Sequence, residues 1–236
     1  MATTFNKNRT LYEELQKKEL NIDNSEYFVR EYGDYFQNGN DKKIKSKNIG
    51  EKFSSINAFF FDYLKEYHIP VAFVKNIDKN SLRFIKHNRF PFFVKILNIT
   101  DKRTAKIFGE KEGKVLTLPL YEFHYGEGKD SLISESHLIS YNLCTNDDLR
   151  LISRMCSKIN AVLKSFFERR NILFAEVSCN FGKSDEKIYL VDDFTPRSLK
   201  ILSLNSGNKY IDPYKLTTPV QVRNYTNLIY NLMSNQ

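Results

Sequence analysis

No tryptophan occurs in this chain, and glycine, proline and cysteine are sparse: nine, six and three among 236 residues. The few glycines and prolines form no low-complexity linker, and no internal repeat is visible. The cysteines, Cys144, Cys156 and Cys179, are odd in number and widely spaced, which excludes a disulfide framework and a zinc pattern and suits a reducing cytoplasm. The four histidines, His68, His87, His124 and His137, show no metal-ligand spacing either. No apolar run approaches the length of a membrane span, and the opening stretch, residues 1–20, lacks the apolar core of a secretion signal.

What is abundant is phenylalanine (19) and tyrosine (14), within a composition 41% hydrophobic and 27% charged. Phenylalanine fills a core without needing a polar partner, so these numbers describe a packed globular protein of one domain or two closely packed lobes. The net charge of +8 suits either nucleic acid or small phosphorylated anions. No RNA- or DNA-reading motif is present. The densest basic run, Lys42-Lys43-Ile44-Lys45-Ser46-Lys47, reads as a solvated loop.

Taken in order, residues 1–10 read as loosely attached, 13–20 as a strand or helical turn, and 27–32 as a strand. Ile56, Phe59, Phe60, Tyr63, Leu64 and Tyr67 recur at helical spacing, which predicts a helix over 54–67, capped by Ser54 or Ser55. Strands follow at 71–74, 82–85 and, very apolar, 91–99. Residues 86–89 lie between them as a hinge. The glycines Gly109 and Gly113 make 106–116 a loop or short hairpin, and 120–125 is another strand. Leu149, Ile152, Cys156, Ile159, Leu163 and Phe166 stripe a long helix over 145–170, with Thr145 and Asp148 as its cap. Thr218-Pro219 opens a last helix whose apolar face suits a homodimer. The sum is α+β, with a strand-rich lobe over 1–87 and a mixed α/β lobe over 88–236.

The most informative stretch is 172–200, two strands joined by a polar turn at 182–186, the second running into Asp192-Asp193. Two carboxylates at the end of an apolar strand are costly to bury unless neutralised. A hard cation such as magnesium, facing bound phosphates, is one solution. A solvated turn is the other.

In register, the chain resembles the SAICAR synthetase family of purine biosynthesis, from Leu11-Tyr12 to about Ser203. The resemblance rests on His68-Ile69-Pro70 after the first helix, Pro91 to Asn98, Gly109 with Gly113, Leu118 to Tyr125, Asp130 with His137, Ile159 to Leu163, Phe181-Gly182, and Leu190 to Lys200. It implies an ATP-dependent ligase in the cytoplasm, with magnesium, joining aspartate to the carboxylate of CAIR. The expected fold has a nucleotide cleft between the two lobes. The residues it singles out are Asp130 and Lys200 for catalysis, Lys17, Lys86 and Asp192 for nucleotide, and Asp192 with Asp193 for metal. Asn98, Lys102, Arg103, Lys106 and Arg197 are expected at the substrate. No nucleic acid or membrane partner is implied.

The chain departs from the family pattern at several charged positions. The nucleotide loop reads Glu14-Leu15-Gln16-Lys17, without the family's glycine and first lysine. Leu97 replaces an arginine, Ser178 a lysine, and Asn180 the metal-binding glutamate. Lys102, Arg103 and Arg197 are cations the family lacks there. Two readings therefore stand side by side: a working ligase with a rebuilt anion site, or a pseudo-enzyme of this fold that binds or regulates.

Overall fold

The computed structural model describes residues 14–21, 26–37, 43–126, 131–203 and 211–234. Expectations for residues 1–10, for Lys42 and for Asp130 lie outside them; the rest of the basic run, read as a solvated loop, instead forms a short strand over Lys43–Lys45. Two antiparallel sheets organise the α+β chain. The first holds β1 (Glu14–Asn21), β2 (Tyr27–Gln37), β3 (Lys43–Lys45), β4 (Phe73–Asn76) and β5 (Ser81–Ile85), in the order β1-β2-β5-β4 with β3 beside β2. Helix α1 (Ile49–Glu66) packs on this sheet through Phe53, Ile56, Phe60, Phe61 and Leu64.

α1 begins five residues before the predicted start, and no serine caps it. Its first-turn donors are met from the sheet instead: the Asp34 carboxylate accepts from the backbone N–H groups of Asn48 and Gly50. The approach is close enough to require glycine at 50. A Cβ there would sit 2.3 Å from the Tyr32 carbonyl oxygen.

The second sheet holds β6 (Asn88–Ile99), β7 (Val115–Tyr125), β8 (Leu132–Ile133), β9 (Ile172–Ser184), β10 (Lys187–Leu190) and β11 (Leu199–Ser203). Its order is β10-β9-β6-β7-β8, and β11 pairs with the first half of β9. The hairpin turn after β9 is Asp185-Glu186 alone, shorter than the predicted 182–186. Helix α4 (Asn146–Glu168) lies against β9 and β6, and the capping box between Thr145 and Asp148 is formed. Its predicted stripe is buried, Cys156 included.

Five elements went unanticipated: β3, α2 (Lys102–Phe108), β8, α3 (Glu135–Ser140) and β11. The glycine that suggested a loop terminates α2 instead. Gly109 takes φ 66° as its C-cap, and Asp101 caps the start by accepting from the Thr104 N–H. The last helix, α5 (Pro219–Ser234), packs against α1 and buries Val222, Tyr225, Ile229 and Leu232. Tyr225, Ile229 and Leu232, read from the sequence as inward-facing, are thus committed to the protein's own core. Among the described residues no helix is long and apolar enough to cross a membrane.

The sheets are joined covalently by Lys86 and His87, between β5 and β6. They are also joined by a bridge at Val71 and Leu190, where Ala72 N–H donates to the Leu190 carbonyl. One continuous apolar core runs through both.

Candidate active site

The β1–β2 register places Lys17 opposite Tyr32, and alternation puts Arg30 on the same face of β2. These side chains meet the segment after β10. Arg30 is fully buried. Its Nη1 donates to Asp193 Oδ1 at 2.5 Å and to the Val191 carbonyl at 3.4 Å, and its Nε and Nη2 donate to Glu19 Oε1 at 3.1 and 2.6 Å. The guanidinium lies 4.4 Å from the Phe84 ring centroid. Tyr32 Oη donates to Asp193 Oδ1 at 2.8 Å. Lys17 Nζ reaches both carboxylates, at 3.1 Å to Asp193 Oδ2 and 3.2 Å to Asp192 Oδ1. Asn180 Nδ2 donates to Asp192 Oδ2 at 2.7 Å.

The two aspartates are therefore unlike. Burial would raise the Asp193 pKa, but the charges of Arg30 and Lys17 and the Tyr32 hydrogen bond outweigh it and hold this carboxyl far below the usual range. Both of its oxygens are engaged by protein donors. The expected role of Asp193 as a metal ligand gives way to that of a buried counter-ion. Asp192 keeps a side chain 24% exposed. Burial disfavours the Lys17 ammonium, and the attraction of Asp193 and Asp192 prevails, raising its pKa.

Two open concavities flank this cluster. One, of about 970 Å³, is lined by Lys17, Lys18, Tyr32, Asp34, Asn48 and Lys79 among others. The other, of about 580 Å³, lies at the connection between the sheets and is lined by Lys86, His87, Asn88 and Arg89, with Glu19, Phe28 and Lys183. Lys86 and Lys17 thus line different hollows.

A second polar cluster lies on the second sheet. Lys95 of β6 stands beside Glu122 of β7 and Ser178 of β9, and Lys200 of β11 beside Glu176 of β9. Lys95 Nζ lies 3.2 Å from Asp101 Oδ2 and 3.5 Å from Glu176 Oε2. Glu176 is buried, Oε2 has no hydrogen-bond partner among the described residues, and burial raises its pKa. Lys200 Nζ donates to the carbonyls of Pro196 at 2.6 Å and Pro213 at 3.1 Å. Burial lowers its pKa to about 8. Arg103 pairs with Glu122, so its charge is already answered within the protein, and His124 lies between Glu122 and Ser131.

Asn98 is a correction. Alternation along β6 turns it, with Val94 and Ile96, toward α4, where it exchanges two amide hydrogen bonds with Asn160, at 2.8 and 3.1 Å. Both residues are buried, and Asn98 is a polar pair inside the core, not a substrate contact. Lys102 and Lys106 are exposed on α2, and Arg197 is exposed after β10.

Arg30, Tyr32, Lys95, Glu122 and Glu176 were missed in the sequence. The signal was present for Lys95 and Glu176: each is a charge set within an apolar run of its strand, and such a charge needs a partner. Nothing local identifies the partner.

The family model for SAICAR synthetase matches residues 8–212. The chain belongs to the SAICAR synthetase family. It is similar to the phosphoribosylaminoimidazole-succinocarboxamide synthase of Fusobacterium nucleatum, 30% identical over 207 residues, covering 86% of this chain and 87% of the relative. The enzyme of the same name from Caldanaerobacter subterraneus is 29% identical over 208 residues, covering 86% and 88%. Among solved structures, a SAICAR synthetase in complex with ADP has a TM-score of 0.82 at 22% identity, covering 95% of this chain and 97% of that one. The synthase of Ehrlichia chaffeensis has a TM-score of 0.81 at 23% identity, covering 97% and 99%. These structures agree on the two-lobe fold. The family match and the relatives named for the enzyme support an ATP-dependent ligase role in purine biosynthesis over an inactive chain of this fold.

Proposed function

We propose that this SAICAR synthetase family member joins aspartate to the carboxylate of CAIR at the expense of ATP. The reaction would run in a cleft between a lobe over residues 1–87 and a lobe over 88–236. The observation that carries this reading is the convergence of Lys17, Asp192, Asp193 and Asn180 where the two sheets meet. Lys17 is the cation placed to meet phosphate, and Lys86 lines the hollow at the connection, where the rest of the nucleotide would lie. Oriented charges of this kind stabilise phosphoryl transfer mainly by position and electrostatics.

Magnesium is proposed with ATP, and the donor chemistry fits it at Asp192. That carboxylate is part-exposed, and a single carboxylate completed by phosphate oxygens and water is a usual setting for magnesium. When bound, the ion would neutralise phosphate charge. Protein side chains do the remaining work. Lys102, Lys106 and Arg197 offer exposed positive charge for the carboxylate and phosphate groups of the two substrates. Lys200, its amine fixed by two carbonyls, is proposed as a catalytic cation, and Asp130 as a catalytic carboxylate. The aspartate amine attacks the phosphate-activated carbonyl and phosphate leaves, so holding the amine close supplies much of the rate. A cytoplasmic setting follows from the role.

The test is ADP formation by the purified protein with MgATP, CAIR and aspartate, each omitted in turn, beside an active family member. Turnover requiring all three, lost in Asp192→Asn, is expected. No turnover while the control works would return the pseudo-enzyme reading.

A further inference from the structure

The Lys17 ammonium sits between the two carboxylates of the cluster, 3.2 Å from Asp192 and 3.1 Å from Asp193. That is the place a bridging cation would take. The two protein cations in the cluster are not equivalent. Arg30 is sealed in, 0% exposed, with Glu19, Asp193 and the Val191 carbonyl around its fork. The Lys17 side chain is 30% exposed, stands on the wall of the larger concavity and hangs on a flexible four-carbon stem. Of the two, only Lys17 is free to turn toward a ligand.

We propose that Lys17 holds the place of the divalent cation, so that Asp192 accepts the metal only after nucleotide phosphate has drawn Lys17 away. This rests on the ligase reading for the nucleotide, and it concerns the order of binding within that site. The physical reason is exclusion. An ammonium 3.2 Å from Asp192 Oδ1 and a divalent ion on that same oxygen repel each other, so each disfavours the other there. A phosphate offers Lys17 an alternative anion of higher charge. Once Lys17 moves, Asp192 regains a free oxygen while Asp193 stays neutralised by Arg30. Nucleotide and metal therefore raise each other's affinity by the same factor, through one side chain.

The experiment is manganese binding to the full chain, read from the loss of the free-ion electron paramagnetic resonance signal, with wild type, Lys17→Met and Lys17→Arg, without nucleotide. Lys17→Met is expected to bind manganese about tenfold or more tightly than wild type, within the usual range of such couplings. Lys17→Arg keeps a cation in place and should bind as weakly as wild type, which separates loss of charge from damage to the fold. Equal affinity in wild type and Lys17→Met, or no binding by either, would overturn the proposal. ADP binding followed by calorimetry in the presence of a chelator judges the other reading separately. No heat there counts against the nucleotide site, whereas ADP binding beside metal-indifferent Lys17 variants removes only the proposed order.

Discussion

Asp193→Asn isolates the charge of the buried counter-ion from its hydrogen bonds. Arg30 and Tyr32 both donate to Oδ1 of Asp193, and the asparagine carbonyl can keep accepting them. Lys17, bonded to Oδ2, would instead face an amide N–H. The main loss is one buried negative charge, leaving Arg30 with Glu19, whose side chain is 45% exposed, as its remaining carboxylate. Removing one member of a buried pair typically costs 3–5 kcal/mol. The retained bonds and Glu19 put this variant at about 3 kcal/mol. Urea unfolding at pH 7 should show it as a midpoint lowered by about 1 M or more, given slopes of 1–3 kcal/mol/M. Arg30→Met is expected to lose a similar amount. Arg30→Met/Asp193→Asn, which removes both charges, should lose less than the two single variants together by about 2 kcal/mol. A single loss below about 1 kcal/mol, or additivity within about 0.5 kcal/mol, would refute the counter-ion argument. The pH dependence supplies a second check. Because the folded pKa of Asp193 is depressed, its contribution is complete above the unfolded value near 4 and is lost as pH falls below it. Asp193→Asn should flatten that acid limb.

Three further outcomes follow from other parts of the molecule. Asn98→Leu strands the buried Asn160 amide and should cost about 1–3 kcal/mol in urea unfolding, most of it recovered in Asn98→Leu/Asn160→Leu. Lys200, with a pKa lowered to about 8 against an ordinary value of 10.5, is a penalty below pH 8 that lifts as pH rises from 8 toward 10.5. Thermal midpoints of wild type should rise relative to Lys200→Met across that window, and parallel curves would remove the argument. Gly50→Ala pushes a methyl group against the Tyr32 carbonyl and should cost about 1–3 kcal/mol, read as a lowered melting temperature.

The departures from the family pattern gain a physical reading from the paired charges. The cations that lie nearest the site each have an acid of this chain beside them: Lys17 with Asp192 and Asp193, Arg103 with Glu122, Lys95 with Asp101 and Glu176. At the proposed site a substrate anion would have to compete with these acids for the cations. Lys200 differs, since its amine is held by carbonyl dipoles and no carboxylate lies in ion-pair distance among the described residues.

The α1 and α4 stripes, the apolar β6 and the hairpin carrying Asp192 were legible because hydrophobic period and turn chemistry are local properties. So was the Thr145–Asp148 cap, which spans three residues. Helix α2 was not, because its end and a loop share the same glycine, and only the backbone angle at Gly109 distinguishes them. The site divides the same way. That Asp192 and Asp193 need neutralising follows from their place at the end of an apolar strand, by the cost of burying charge. Which of them faces the cleft depends on residues more than 160 positions away: Arg30 and Tyr32 claim Asp193, and Lys17 spans both. Likewise the apolar run around Asn98 marked a buried strand, but only the packing of α4 supplied Asn160 as its partner. Local period and composition determined the elements, and long-range register decided which charges are paired, because a strand's sequence carries no record of its neighbour.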